Sequence, residues 1–153
     1  MKDFDIKVKG NSNVTLFGTE DNTIVIPADC SIDNSGRSCD IKVEGAEVRI
    51  GVPASIAHIE LTIADSEVKL HGISFDHIEI DASGSITVNT DTLGRKLDIN
   101  MSNGQADLEL PKNASFKTRN EGKNNTINTE LKEDVSSINV IEINGKNSVL
   151  NIR

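Results

Sequence analysis

The sequence predicts an all-β chain: a single-stranded, parallel, right-handed β-helix, or solenoid, of about seven to eight rungs, coiled from a degenerate repeat of about 17–22 residues. Three observations lead there. Short apolar stretches alternate with polar residues at period two, while helical periodicity is almost absent. Two nearly identical segments, Ala57-His58-Ile59-Glu60-Leu61 and Asp76-His77-Ile78-Glu79-Ile80, lie 19 residues apart. Glycines and prolines fall at recurring places between such segments, where corners would be needed.

Taken in order, the first strand series is Asp40-Ile41-Lys42-Val43, Ala57–Leu61, Asp76–Ile80 and Lys96-Leu97-Asp98-Ile99. Its spacing places Ile41, Ile59, Ile78 and Leu97 in one interior ladder on adjacent parallel strands, at the roughly 4.8 Å separation of neighbouring strands. A second series interleaves with it: Val14-Thr15-Leu16, Val48-Arg49-Ile50, Val68-Lys69-Leu70, Ile86-Thr87-Val88, Ala106-Asp107-Leu108, Ile127-Asn128-Thr129 and Val149-Leu150. Gly10, Gly45, Gly84, Gly104, Gly122 and Gly145 precede members of this series, as expected of corners that need positive φ. The three prolines occur as Ile26-Pro27, Val52-Pro53 and Leu110-Pro111, each soon followed by Ser31-Ile32, Ser55-Ile56 or Ser115-Phe116. A residue that cannot donate to a ladder marks strand ends there, and so a short third side to each turn. A sandwich of antiparallel hairpins would also show frequent turn signals. It has no reason to repeat His-Ile-Glu at 19 residues. The six-residue beat of left-handed coils is missing, which leaves the right-handed form.

With 153 residues, one domain spanning 1–153 is expected, large enough to bury a core without staples. Hydrophobic residues make up 36% but aromatics only 3%, with four Phe and neither Trp nor Tyr, so the core rests on Ile, Val and Leu. Sixteen basic against 24 acidic residues give a net charge of −8, which repels nucleic-acid phosphates and anionic lipid. No apolar run is long enough to span a membrane, so no membrane insertion by this segment is expected. The opening MKDFDIKVKG lacks the apolar stretch of a signal peptide.

Segments such as His77-Ile-Glu-Ile-Asp-Ala-Ser-Gly-Ser-Ile-Thr-Val88 and Leu97-Asp-Ile-Asn-Met-Ser-Asn-Gly-Gln-Ala-Asp-Leu-Glu-Leu-Pro111 resemble the bacterial "putative adhesin" β-solenoid domain family of unknown function, over about residues 40–150. The resemblance implies a module outside the cytoplasmic membrane, at the cell surface, often behind an anchoring segment. It carries no catalytic residues to this chain.

Four outward side chains form the candidate metal set. With Ile59, Leu61, Ile78 and Ile80 inward, His58, Glu60, His77 and Glu79 point outward on stacked strands, and imidazole with carboxylate is an ordinary donor set for zinc or nickel. The same residues also read as a solvated mixed-charge face. Cys30 and Cys39 flank the least regular stretch and would, if joined, close a short loop in an oxidising compartment; two reduced thiols are the alternative. No catalytic motif is present: there is no Gly-x-Ser-x-Gly elbow, His-Glu-x-x-His helix, phosphate loop or Cys-x-x-Cys, and no cofactor is implied. The expected role is therefore a non-enzymatic structural or interaction module. Its partners would be a second copy of the chain stacked end to end, or a cell-surface protein or glycan. The rival is a carbohydrate-binding or carbohydrate-active β-helix. Self-stacking is expected because strand pattern begins at Phe4 and ends at Ile152 with no capping helix.

Overall fold

The computed structural model describes residues 3–28, 30–35 and 38–153. Among them are fifteen strands and no helix: β1 Asp3–Lys9, β2 Asn13–Thr19, β3 Ser31–Ser35, β4 Ser38–Glu44, β5 Glu47–Pro53, β6 Ser55–Ala64, β7 Glu67–His71, β8 Ser74–Ser83, β9 Ser85–Thr90, β10 Lys96–Ser102, β11 Gln105–Glu109, β12 Lys117–Asn120, β13 Thr126–Thr129, β14 Val140–Lys146 and β15 Val149–Ile152. They form two sheets. The eight-stranded sheet runs β12-β14-β10-β8-β6-β1-β4-β3 and the seven-stranded sheet β13-β15-β11-β9-β7-β2-β5. Every pairing between these strands is parallel except β3 with β4.

The chain thus alternates between sheets, each pass laying one strand in each, and buries the inward positions between them. Phe4, Ile6, Ile59, Leu61, Ile78, Ile80, Leu97, Ile99, Ile141 and Ile143 from one sheet meet Val14, Leu16, Val68, Val88, Leu108, Leu150 and Ile152 from the other. Alternation slips once within β6, where Ala57 and His58 are both half-buried, so Ile56 turns inward beside Phe75 at a separate corner. Pro53 closes β5 and Pro111 lies just after β11, as their missing donors require.

The order of passes departs from the chain order at both ends. β1/β2 lies between β4/β5 and β6/β7, and β14/β15 lies between β10/β11 and β12/β13. The inward residues explain the second exchange. β12 and β13 point Thr118, Asn120, Ile127 and Thr129 at their neighbours, whereas β14 and β15 point Ile141, Ile143, Leu150 and Ile152. The apolar pair is sandwiched and the polar pair ends the stack, which puts the costly positions beside water.

The interior ladder expected from spacing holds in three of its four members. Ile59, Ile78 and Leu97 pair in register, and Ile141 continues them. Ile41 does not join. Through the intervening β1 it stacks on Ile6 and then Leu61, one inward position further along. A similar two-residue correction falls between β7 and β9, where Val68 pairs with Val88 rather than Ile86. At the corners, Gly10, Gly45, Gly84 and Gly145 have positive φ as expected, but in place of Gly104 and Gly122 it is Asn103 and Asn124 that take the left-handed conformation.

The expectation that the first and last strands are bare ends is overturned, because both are interior. The true ends are met in part by other segments of the chain itself. At one, β3 pairs antiparallel with β4, Val25 exchanges backbone hydrogen bonds with Gly51 of β5, and Ile24, Ile26 and Cys30 pack on the core. At the other, the Glu133 carboxylate accepts hydrogen bonds from the Thr118 N–H (2.6 Å) and hydroxyl (2.7 Å), Asp134 N–H donates to the Phe116 carbonyl, and Leu131 packs beneath. No helix among the described residues is long and apolar enough to cross a membrane.

Candidate functional site

Parallel, in-register stacking turns each outward position of the eight-stranded sheet into a column of side chains. One column reads Asp40, Asp5, Glu60, Glu79, Asp98, Glu142 and Arg119. Six carboxylates therefore follow one another at about the 4.8 Å strand spacing. Beside it run Asp3, His58, His77, Lys96, Val140 and Lys117. On the other side stand Lys42, Lys7, Thr62, Asp81, Asn100 and Asn144.

This register differs from the first strand series aligned by spacing alone, which sets Asp40 level with the histidines and Lys42 level with Glu60 and Glu79. The uninterrupted carboxylate row was missed because it depends on β1 bringing Asp5 between Asp40 and Glu60. The repeat itself, Asp or Glu two positions after each His or Lys, was the available signal.

The row is compensated unevenly. At its β14 end, Glu142 is buried and held by Lys96 Nζ at 3.1 Å and Arg119 Nη1 at 3.7 Å. The Asn144 amide donates to both Asp98 (3.1 Å) and Glu142 (2.9 Å). Burial still pushes the Asp98 carboxyl above its ordinary pKa against the Asn144 bond, with the charges of Glu142 and Glu79 adding to the rise. Further along, no Lys or Arg ion pair reaches Glu60 or Glu79 among the described residues. Burial raises the Glu60 pKa, and a hydrogen bond with Asp81 and the charges of Asp5, Asp81 and Glu79 raise it further.

The four candidate metal ligands divide accordingly. His58, His77 and Glu79 each offer a ligand atom within 4.8 Å of the others, all half-buried, while Glu60 lies outside this set. The two imidazole rings are 4.9 Å apart, tilted by 34°. His58 Nδ1 approaches Asp3 Oδ1 at 3.9 Å, and the buried Nε2 atoms of both rings have no hydrogen-bond partner among the described residues. Burial, then His58 and Lys96, hold His77 below its ordinary pKa, with Glu142 opposing, so the ring is neutral at pH 7 and keeps a lone pair. The third histidine, His71, lies in the other sheet and pairs with Asp91.

The Cys30–Cys39 pairing falls outside the described residues, since nothing of the Cys39 side chain is described. One surface depression, of about 490 Å³, is lined by Lys7, Val8, Lys9, Lys42, Val43, Glu44 and Thr62, and no aromatic residue is among them.

No protein-family model and no curated protein matches the chain. Among solved structures it is similar to the crystal structure of a "putative cell adhesion protein" from Clostridium sporogenes, with 17% sequence identity and a TM-score of 0.65 over 99% of this chain and 92% of that one. At that identity the likeness is one of fold: the two-sheet, largely parallel build extends over nearly the whole of both chains.

Proposed function

We propose that this chain is a non-enzymatic interaction module, an adhesin-like β-solenoid that works at a bacterial cell surface by presenting the outward face of its eight-stranded sheet to a basic partner surface. The observation that supports this most is the carboxylate row Asp40-Asp5-Glu60-Glu79-Asp98-Glu142, held by backbone ladders on a broad face. A rigid sheet presents such a row without the ordering cost a flexible acidic segment would incur on binding. The fold likeness to a protein described as a "putative cell adhesion protein" points the same way. Seven passes through both sheets fit a coil of seven rungs, with the ends rearranged as described.

The test is binding of chain-coated beads to bacterial cells and to isolated cell-surface protein over a salt series. Saturable binding is expected, weakened by salt and by the combined substitutions Asp5→Asn, Glu60→Gln and Asp81→Asn, which leave His58, His77 and Glu79 in place. Binding indifferent to both would sink the proposal. So would release of reducing sugar from polysaccharide that the same substitutions abolish, since that outcome belongs to the carbohydrate-active rival.

A further inference from the structure

We propose that His58, His77 and Glu79 form a binding site for a divalent transition-metal ion of the zinc class. The argument starts from backbone register. β6 and β8 are parallel with His58 opposite His77, so the two imidazoles stack on one face, and Glu79, two residues beyond His77, shares that face. Their ligand atoms lie within 4.8 Å of one another. Three donors at the corners of such a triangle sit at most about 2.8 Å from its centre, so closing to the roughly 2.0–2.2 Å of a zinc shell takes shifts of under about 1 Å each. Side-chain rotation supplies that without moving the strands.

A second, independent observation is the state of the ring nitrogens. The Nε2 atoms of both His58 and His77 are buried and have no partner among the described residues. Buried polar atoms are normally satisfied, so two orphans in adjacent rings call for a bound group. The donor set selects its chemistry. Two imidazole nitrogens and one carboxylate oxygen suit zinc, cobalt or nickel, whereas calcium and magnesium prefer all-oxygen shells. Asp3, 3.9 Å from His58 Nδ1, stands where a carboxylate orients a metal-bound imidazole. Three protein donors leave a coordination position for water. The carboxylate row alongside adds a negative potential that concentrates cations at this face. The site is independent of the interaction reading: a chain that binds no cell surface can still bind the ion, and the reverse.

The experiment is titration of the full chain with zinc chloride by calorimetry and with cobalt(II) by visible absorption. One ion per chain is expected, with the d–d bands of a low-symmetry site. His58→Ala and His77→Ala should each weaken binding by more than the roughly 10–100-fold typical of losing a supporting group, and Asp3→Asn by about tenfold. His71→Ala, in the other sheet, should leave binding unchanged. In the unmutated chain, zinc should move the imidazole NMR signals of two histidines and not the third, a readout that stands if a variant fails to fold. No saturable binding, movement of the His71 signal alone, binding in both histidine variants as tight as in the unmutated chain, or a thiolate-to-cobalt charge-transfer band placing the ion at the cysteines would each overturn the proposal.

Discussion

Exchanging the last two passes of the chain makes a testable difference between two isoleucines, Ile143 in β14 and Ile127 in β13. In a coil that followed chain order, Ile143 would lie on the outermost pass, open on one side, and Ile127 would be interior. In this structure Ile143 is fully buried between Ile99 and Asn120, whereas Ile127 is half-buried on the end pass. Truncating Ile143 to Ala removes three buried carbons, worth about 2.4 kcal/mol at about 0.8 kcal/mol each. Incomplete collapse of the vacated space adds about 1–2 kcal/mol, for a total of about 3.5–4.5 kcal/mol. Ile127→Ala loses about half the transfer contribution and opens no closed cavity, so about 1 kcal/mol is expected. Urea unfolding followed by far-ultraviolet circular dichroism is the assay, because without Trp or Tyr the chain offers almost no fluorescence signal. Equal costs, or a larger cost at Ile127, would refute the interleaved order.

Two further outcomes follow from corners and charge. Gly145 has φ +92° and a Cβ added there would strike the Met101 carbonyl oxygen, while Gly10 has φ +84° and open space around it. Gly145→Ala should therefore lower the thermal midpoint well beyond the backbone strain of about 1–3 kcal/mol that Gly10→Ala incurs, and similar midpoints would show that the corner yields. Glu60 and Asp98 both have folded-state pKa values above their ordinary ones, so the folded chain binds protons more tightly than the unfolded chain. Their contribution to stability consequently increases as pH falls through the folded values towards the ordinary carboxylate range, and it is lost as pH rises. Glu60→Gln should flatten that part of the urea-midpoint profile and be neutral or stabilising near pH 7; a loss of stability there would show that the charge is favourable where it stands.

How far the sequence revealed this arrangement depends on which symmetry each feature obeys. Inside and outside were legible from His58 onward in β6, from His77 to Ile80 in β8 and in β10, because alternation at period two fixes the face of each residue, and the 19-residue recurrence of His-Ile-Glu fixes its neighbour. Ile41 was misplaced for the same reason: sliding a strand by two residues preserves every face, so Asp40-Ile41-Lys42 matches His58-Ile59-Glu60 in pattern although it stands level with Glu60-Leu61-Thr62 through β1. Pass order was not legible from spacing, since any pass of suitable length can stack on any other. The polar inward residues Thr118, Asn120 and Thr129 did hold a signal that β12/β13 belongs at an end. The histidine pair could be found because its members are successive in the chain. The Asp3 contact and the full carboxylate row could not, because both require the inserted β1.

That inserted strand also sets the energetics of the face. Parallel register multiplies any outward residue that recurs, so a repeat encoding Asp or Glu at one position produces a line of like charges whether or not a line is useful. Each adjacent pair at about 4.8 Å repels by nearly 1 kcal/mol even at the dielectric constant of water, and by several-fold more where water is partly excluded. The chain relieves the β14 end with Lys96, Arg119 and Asn144, whereas at Glu60 burial and the neighbouring Asp81 raise the carboxyl pKa. Glu79, between these two places, has no ion pair among the described contacts, and it is the carboxylate that lies against the two unpartnered imidazoles. A dication bound there would meet an uncompensated charge and two orphan nitrogens at once, which is the point on this face where one ion removes the most unfavourable free energy.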